Sequence, residues 1–295
     1  MTTARHYRDM NTGREAAHAQ ARNRFMERTA VVVGGGQREG ATVGNGRATA
    51  LALAREGAHV LVADRDLDAA AETVAIIREA GGQSEPHQMD VTSESDCQRL
   101  AEVALASLGK VDVLVNNVGI VLDDVTLEEW NRTLAVNLTG AWLTCKSVVP
   151  VMVAARRGAI VNISSIASLM PAAPGPLGYA VSKVGIDMLT RTLAFTQARH
   201  GVRVNAVAPG MIDTPLGVDR VVELRGVERE RVARERAQPV PMGRQGTAWE
   251  VADAVSFLAS DEAAYITGVI LPVDGGITLG NDNWDMQIPD FAAEQ

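Results

Sequence analysis

From Thr29 onward the chain alternates short apolar, β-branched runs with longer stretches whose apolar residues recur at helical spacing. The short runs predict strands over Thr29 to Val33, His59 to Asp64, Glu85 to Asp90, Val111 to Val115, Ala159 to Ile163, Arg203 to Val207 and Val269 to Val273. The stretches between them predict helices over Arg47 to Arg55, Asp68 to Ala80, Ser93 to Leu108, Leu127 to Ala154, Tyr179 to His200 and Trp249 to Ala259. Gly57, Gly81 and Gly201 are placed to stop three of them. Strands and helices in alternation predict an α/β fold: a single Rossmann domain with a doubly wound, parallel, seven-stranded sheet. Right-handed crossovers then collect the carboxyl ends of the strands on one edge, where such sheets bind ligands.

Three segments stand outside this rhythm. Residues 1–28 are polar, with six arginines and three acids, and are expected to be an N-terminal extension that forms a helical arm or stays mobile. Residues 29–280 form the domain, and within it residues 211–248, charged and holding Pro215, Pro239 and Pro241, are expected to be a substrate lid. The tail, 281–295, holds Trp284, Met286, Ile288 and Phe291 and is expected to dock on its own or a neighbouring subunit.

Composition narrows the function. A chain of 295 residues with 46% hydrophobic content can bury a full core. Its 28 basic and 36 acidic side chains give a net charge of −8 with no basic block, so no nucleic-acid partner is expected. Cys97 and Cys145 make no disulfide framework and no Cys/His cluster has metal-ligand spacing, so no metal is expected and a cytoplasmic location fits. A run of eighteen apolar residues and a leader pattern are both missing, so no membrane partner is expected. The histidines are scattered and suggest no mechanism.

The candidate chemistry gathers at strand ends. Gly34-Gly35-Gly36 begins a glycine-rich turn that ends in Gly44-Asn45-Gly46 and runs into a helix, which lets backbone amides and a helix N-terminus meet a diphosphate. Asp64, ending the second strand, can accept from a ribose diol and would repel a 2′-phosphate, which favours NAD over NADP; Arg65 and Arg47 keep the second open. Asp90-Val91 and Asn116-Asn117-Val118-Gly119 end the next two strands and can wall the adenine side, although ordinary turns use the same residues. Tyr179 and Lys183, four apart, share one face of a helix. A tyrosine with a pKa near ~10 is a poor acid or base at neutral pH until a fixed cation stabilises its phenolate. The same pair also recurs on solvated helix faces, and Ser165 at the end of the fifth strand is as readily a turn former as a partner for a carbonyl oxygen. A Ser-His-acid arrangement is not in view, which disfavours hydrolysis.

Taken in order, these motifs resemble a short-chain dehydrogenase/reductase over about Thr29 to Gly280. Asn116-Asn117-Val118-Gly119 is similar to that family's Asn-Asn-Ala-Gly, and Asn137 sits in an Asn-Leu-Thr-Gly context. Ser165, Tyr179 and Lys183 fill the remaining catalytic positions, and Pro209-Gly210-Met-Ile212-Asp-Thr214 resembles the segment that holds the nicotinamide carboxamide. The resemblance implies hydride transfer between NAD(H) and a secondary alcohol or ketone, with Tyr179 as general acid/base. It further implies that Lys183 lowers the tyrosine pKa and binds the nicotinamide ribose, that Ser165 positions the reacting oxygen, and that Asn137 holds a proton-relay water. It implies a homotetramer as well.

The glycine turn departs from that family. Where the family spaces its glycines Gly-x-x-x-Gly-x-Gly, Gly35 and Gly44 lie nine apart, an insertion of five residues in which Arg38 can reach a phosphate, a ribose or only solvent. Leu122, Leu169, Met170, Leu177, Met211 and Leu216 suggest an apolar substrate pocket and are equally ordinary packing residues. Two alternatives stay open: a catalytically silent nicotinamide-binding regulatory protein of the same fold, and a dehydratase or epimerase of a related family.

Overall fold

Residues 23–123, 126–170 and 176–280 are described in the computed structural model. Its strands are β1 (Thr29–Val33), β2 (His59–Asp64), β3 (Gln83–Gln88), β4 (Val113–Asn116), β5 (Gly158–Ile163), β6 (Val202–Pro209), the short β7 (Ile212–Asp213) and β8 (Gly246–Thr247), and β9 (Ile270–Val273). All but β7 and β8 join in one parallel sheet of seven strands, in the order β3-β2-β1-β4-β5-β6-β9. The predicted strands are all there, with β3 beginning two residues earlier than its apolar pattern suggested. That strand is a sheet edge, which tolerates its polar side chains and Pro86.

The helices are α1 (Asn45–Arg55), α2 (Leu67–Glu79), α3 (Glu94–Leu108), α4 (Leu127–Leu134), α5 (Gly140–Ala154), α6 (Leu177–Gln197), α7 (Arg220–Arg225), α8 (Arg229–Ala237) and α9 (Ala248–Ala259). Because successive strand residues point to opposite faces, each central strand feeds two cores. Ala30, Val32, Val60, Val62 and Val115 pack with α1, α2 and α9 on one side. Val31, Val33, Leu61, Ala63 and Leu114 pack with α3, α5 and α6 on the other. Both layers are apolar, which is why the inner strands read as continuous hydrophobic runs.

The long helix predicted from Leu127 to Ala154 is interrupted by a π turn at Ala135–Thr139 between α4 and α5. By length and composition this helical run is long and apolar enough to cross a membrane. It carries the side chain of Asn137 inward and packs α5 on α3 and the sheet, as a core helix does.

Residues 23–28, expected within the extension, are instead part of the domain body. Phe25 is buried in the core and bonds its N–H to the Glu56 carbonyl, Arg24 pairs with Glu56, and Arg28 with Asp112 and Asp261. An arginine-rich stretch gave no apolar signal for this docking. The remaining extension and the tail 281–295 lie outside the described residues.

The 211–248 segment is ordered by charge rather than by an apolar stripe. It holds β7, a π turn at Pro215–Asp219, α7, α8 and β8. Arg229 binds Asp213 and Asp219, and Arg225 binds Glu235, so polar pairs replace the periodicity that would have announced its helices.

Candidate active site

Tyr179 and Lys183 both project from α6, and Lys183 Nζ lies 5.6 Å from the centroid of the tyrosine ring. The ammonium donates to the carbonyl of Ile163, at the end of β5, at 2.8 Å. Lys183 is only 3% exposed, and desolvation holds its pKa down at about 8, partly opposed by the charge of Asp187. Burial pushes the Tyr179 phenol up; a hydrogen bond with Ser165 and the positive charge of Arg236 pull it back. Ser165 itself begins a 3₁₀ turn and accepts from the Ala167 N–H at 3.2 Å.

Asn137 meets this group from the π turn. Its Nδ2 donates to the Ile120 carbonyl at 2.9 Å and to Ser182 Oγ at 3.2 Å, while its Oδ1 accepts from the Ile120 N–H at 2.8 Å. An asparagine is poorly suited to a helix interior unless its side chain finds such partners. Gly119 lies between the two groups: a β-carbon there would be 3.5 Å from Lys183 Nζ and 3.9 Å from Asn137 Oδ1. Ser165, Tyr179, Lys183 and Asn137 therefore converge on one cleft at the carboxyl edge of the sheet.

The glycine turn forms the other half. Gly34 has φ +81°, a left-handed conformation that suits glycine, and its carbonyl accepts from Asn117 Nδ2 at 2.8 Å. At Gly46 a β-carbon would fall 1.9 Å from that same carbonyl oxygen and 2.4 Å from Asn117 Nδ2, so the helix start must be bare there. At Gly36 a β-carbon would press on the Asp64 carboxylate, whose Oδ2 accepts the Gly36 N–H at 2.9 Å. Asn45 Oδ1 is a buried acceptor without a partner among the described residues. An orphaned acceptor beside a backbone cradle fits a ligand with hydroxyl or amide donors and a diphosphate, as a nicotinamide dinucleotide has.

Several expected cofactor contacts have other duties. Asn116 turns its amide into the interior, donating to Asn162 Oδ1 at 2.9 Å and accepting from Thr144 Oγ1 at 2.7 Å; Asn162 in turn donates to Thr190. This buried network, rather than a ligand, explains the residue. Asp90 Oδ1 accepts from the N–H and hydroxyl of Thr92, the strand-end turn that its residue type allows. Val91 packs against bare Gly140, and Gly210 lies against Asp274, where a β-carbon would be 2.7 Å from Cα. Pro209 ends β6, Ile212 begins β7 and is 5% exposed, and Thr214 Oγ1 accepts from the Gly217 N–H at 3.1 Å to start the π turn.

The Gly44 N–H, expected to face phosphate, donates to Gln37 Oε1 at 2.8 Å, and Gln37 Nε2 reaches the Thr42 carbonyl at 3.1 Å. One glutamine thus closes the inserted loop on itself. Arg38 points to Glu223 on α7 at 3.3 Å. Arg47 is buried against Thr73 and Glu72, which removes it from the surface where a 2′-phosphate would be met. Of the apolar pocket candidates, Met211 belongs to a small core with Ile166, Val240 and Ile277, while Leu169, Leu177 and Leu216 are exposed. Residues 171–175, between Ser165 and Tyr179, lie outside the described residues. A run of three glycines does not single out Gly34 as the left-handed one, and Arg236 reads as one surface arginine among many. Among the described residues no group of His, Cys, Asp and Glu could hold a metal.

A family model described as enoyl-(acyl carrier protein) reductase matches residues 40–278. The 3β-hydroxysteroid dehydrogenase 1 of Eggerthella lenta is 40% identical over 246 residues, covering 81% of this chain and 92% of that protein. The chain belongs to the short-chain dehydrogenase/reductase family. A solved short-chain dehydrogenase/reductase from Burkholderia xenovorans is 40% identical and superposes with a TM-score of 0.83 over 88% of this chain and 99% of its own. A structure titled NAD⁺-bound xylitol dehydrogenase is 33% identical, with a TM-score of 0.77 over 85% of this chain and 99% of that one. This short-chain dehydrogenase/reductase is thus an oxidoreductase with the Rossmann fold of its relatives, and the family model's first matched residue, Gly40, falls inside the glycine-rich turn.

Proposed function

We propose that the protein is an NAD(H)-dependent oxidoreductase that interconverts a secondary alcohol and a ketone, with Tyr179 as the general acid/base. The observation that carries this is the convergence of Tyr179, Lys183 and Asn137 on bare Gly119 at the carboxyl edge of the sheet, with Lys183 Nζ 5.6 Å from the tyrosine ring and Ser165 close enough to act on the phenol. In reduction the phenol gives its proton to the carbonyl oxygen; in oxidation the phenolate takes the hydroxyl proton. Ser165 Oγ holds the reacting oxygen, and the Lys183 ammonium favours the phenolate. Asn137 ties the loop after β4 to the helix break and orients a relay water toward Lys183. When bound, the nicotinamide supplies or accepts the hydride.

Gly34, Gly35, Asn45, Gly46, Asn117 and Gly119 would cradle the dinucleotide, with Gly44 closing the loop beside it through Gln37, Asp90 and Val91 at its adenine end, and Pro209, Gly210, Ile212 and Thr214 at its carboxamide end. NAD rather than NADP is favoured by Asp64, whose carboxylate a 2′-phosphate would meet, and by the burial of Arg47, which leaves exposed Arg65 alone of the two arginines to offset that charge. Residues 211–248 act as the lid. Exposed Trp142 on α5 and Val181, Val184, Met188 and Phe195 on α6 support assembly through these helices, in keeping with a homotetramer in the cytoplasm. The deciding assay is absorbance at 340 nm with each cofactor and a panel of secondary alcohols and ketones. NAD-dependent turnover is expected; tight cofactor binding without turnover of any of them would favour the silent binding protein.

A further inference from the structure

Arg236 carries a charge that the chemistry above does not use. It stands near the end of α8, where its Nε donates to Gln245 Oε1 at 2.9 Å, which fixes the plane of the guanidinium. Its Nη2 packs on Gly217, 3.2 Å from where a β-carbon there would lie, in the π turn that begins after Thr214. Among the described residues no carboxylate oxygen comes within 4.0 Å of it. The nearby acids are committed: Arg229 binds both Asp213 and Asp219, and Asp219 also accepts the Ala41 N–H at 2.8 Å. Burial pushes the Arg236 pKa down, and the charges of Asp213 and Tyr179 act against that. Val240, just past the end of α8, and Met211, just past β6, both pack on Ile166, the neighbour of Ser165, so the guanidinium belongs to the end of the cleft where a substrate oxygen reacts, and its charge is felt at the Tyr179 phenol.

A partly desolvated cation without a carboxylate partner is costly and becomes favourable when an anion joins it. A guanidinium held at Nε still offers its terminal N–H groups, a planar set suited to a carboxylate. A net charge of −8 gives no general attraction for anions, so any preference for them must be local.

We propose that Arg236 determines specificity for a substrate bearing a carboxylate, a hydroxy acid or its keto acid, whose carboxylate pairs with the guanidinium while its reacting oxygen lies at Tyr179. This rests on the reading of the Tyr179 cleft as the active site. A phosphate of the cofactor has the same chemistry and is the rival source. The inserted glycine loop, however, reaches this segment through Asp213 and Asp219, at Thr42 and Ala41, and not through Arg236.

The test compares kcat/KM for matched pairs, 3-hydroxybutyrate against its methyl ester and 3-hydroxycyclohexanecarboxylate against its methyl ester, in the wild type, Arg236→Leu and Arg236→Lys. NAD affinity is measured alongside by titration. The wild type should favour the acid of at least one pair by roughly 10- to 100-fold, the range expected for a hydrogen bond to a charged group. Arg236→Leu should bring that ratio close to one through KM, and Arg236→Lys should keep part of it, with NAD affinity retained in both. The wild-type comparison needs no variant to fold, and ester turnover without preference for either acid overturns this proposal while leaving the Tyr179 reading intact. No turnover of any acid or ester overturns both. A tenfold loss of NAD affinity in Arg236→Leu assigns the cation to the cofactor. Equal losses on acid and ester, with the pH profile displaced upward, assign it to the phenol; either result overturns the proposal.

Discussion

Lys183 Nζ stands 5.6 Å from the Tyr179 ring centroid and is tethered by its 2.8 Å hydrogen bond to Ile163, so the cation is fixed by the sheet rather than by the neighbouring phenol. Desolvation makes this placement unfavourable for the charged form. The folded pKa of about 8 lies below the ordinary 10.5, so the unfolded chain binds more protons between those values and stability rises with pH across that window. The penalty is fully present below pH 8. Lys183→Met should therefore raise Tm at pH 7, by the equivalent of up to about 3 kcal/mol, and the gain should shrink as pH rises from 8 toward 10.5. Thermal melts of the two proteins across that range check it; a gain that stays constant with pH would contradict the assignment.

Gly46 is the least forgiving position of the nucleotide cradle. A methyl group at 1.9 Å from the Gly34 carbonyl oxygen meets backbone, which cannot swing aside. Gly46→Ala should cost at least ~2 kcal/mol of stability and weaken NAD binding by more than tenfold, as read by melting and by cofactor titration. At Gly44 a β-carbon would meet only Gln37 Oε1, at 3.8 Å, so Gly44→Ala should be far milder in both measurements.

The glycine-rich loop is clasped to the 211–248 segment. Asp219 accepts the Ala41 N–H and binds Arg229, and Thr42 Oγ1 reaches the Asp213 carbonyl at 3.3 Å. A cofactor held by the loop and covered by the lid should leave more slowly for these bonds. Asp219→Ala is expected to speed NADH release severalfold in stopped-flow fluorescence while changing Tm little; an unchanged release rate would mean that the clasp has no part in retention.

What could be read from the sequence follows from where apolar periodicity operates. The seven parallel strands and the helices of both layers announced themselves because residues such as Val31 and Val32 serve opposite cores, and Ser165, Tyr179 and Lys183 stood at strand ends and helix spacings with chemical meaning. The π turn at Asn137 was not legible, since the hydrogen bonds that Asn137 makes there go to Ile120, seventeen residues away, and leave no periodic mark. The direction of Asn116 was not legible for a related reason: facing a ligand and facing Asn162 look alike until the side chain has a direction. In the 211–248 segment, order comes from ion pairs such as Arg229 with Asp213 and Asp219, which leave no periodic mark.

The account stands on the phenol of Tyr179. Single-turnover reduction of NAD by a secondary alcohol, measured with NAD titrations on the same Tyr179→Phe preparation, isolates that hydroxyl. The variant should bind NAD with wild-type affinity and lose hydride transfer by at least roughly 10²-fold, the lower range for a positioned acid–base group. Transfer at a near wild-type rate, with NAD bound, would contradict the role assigned to Tyr179.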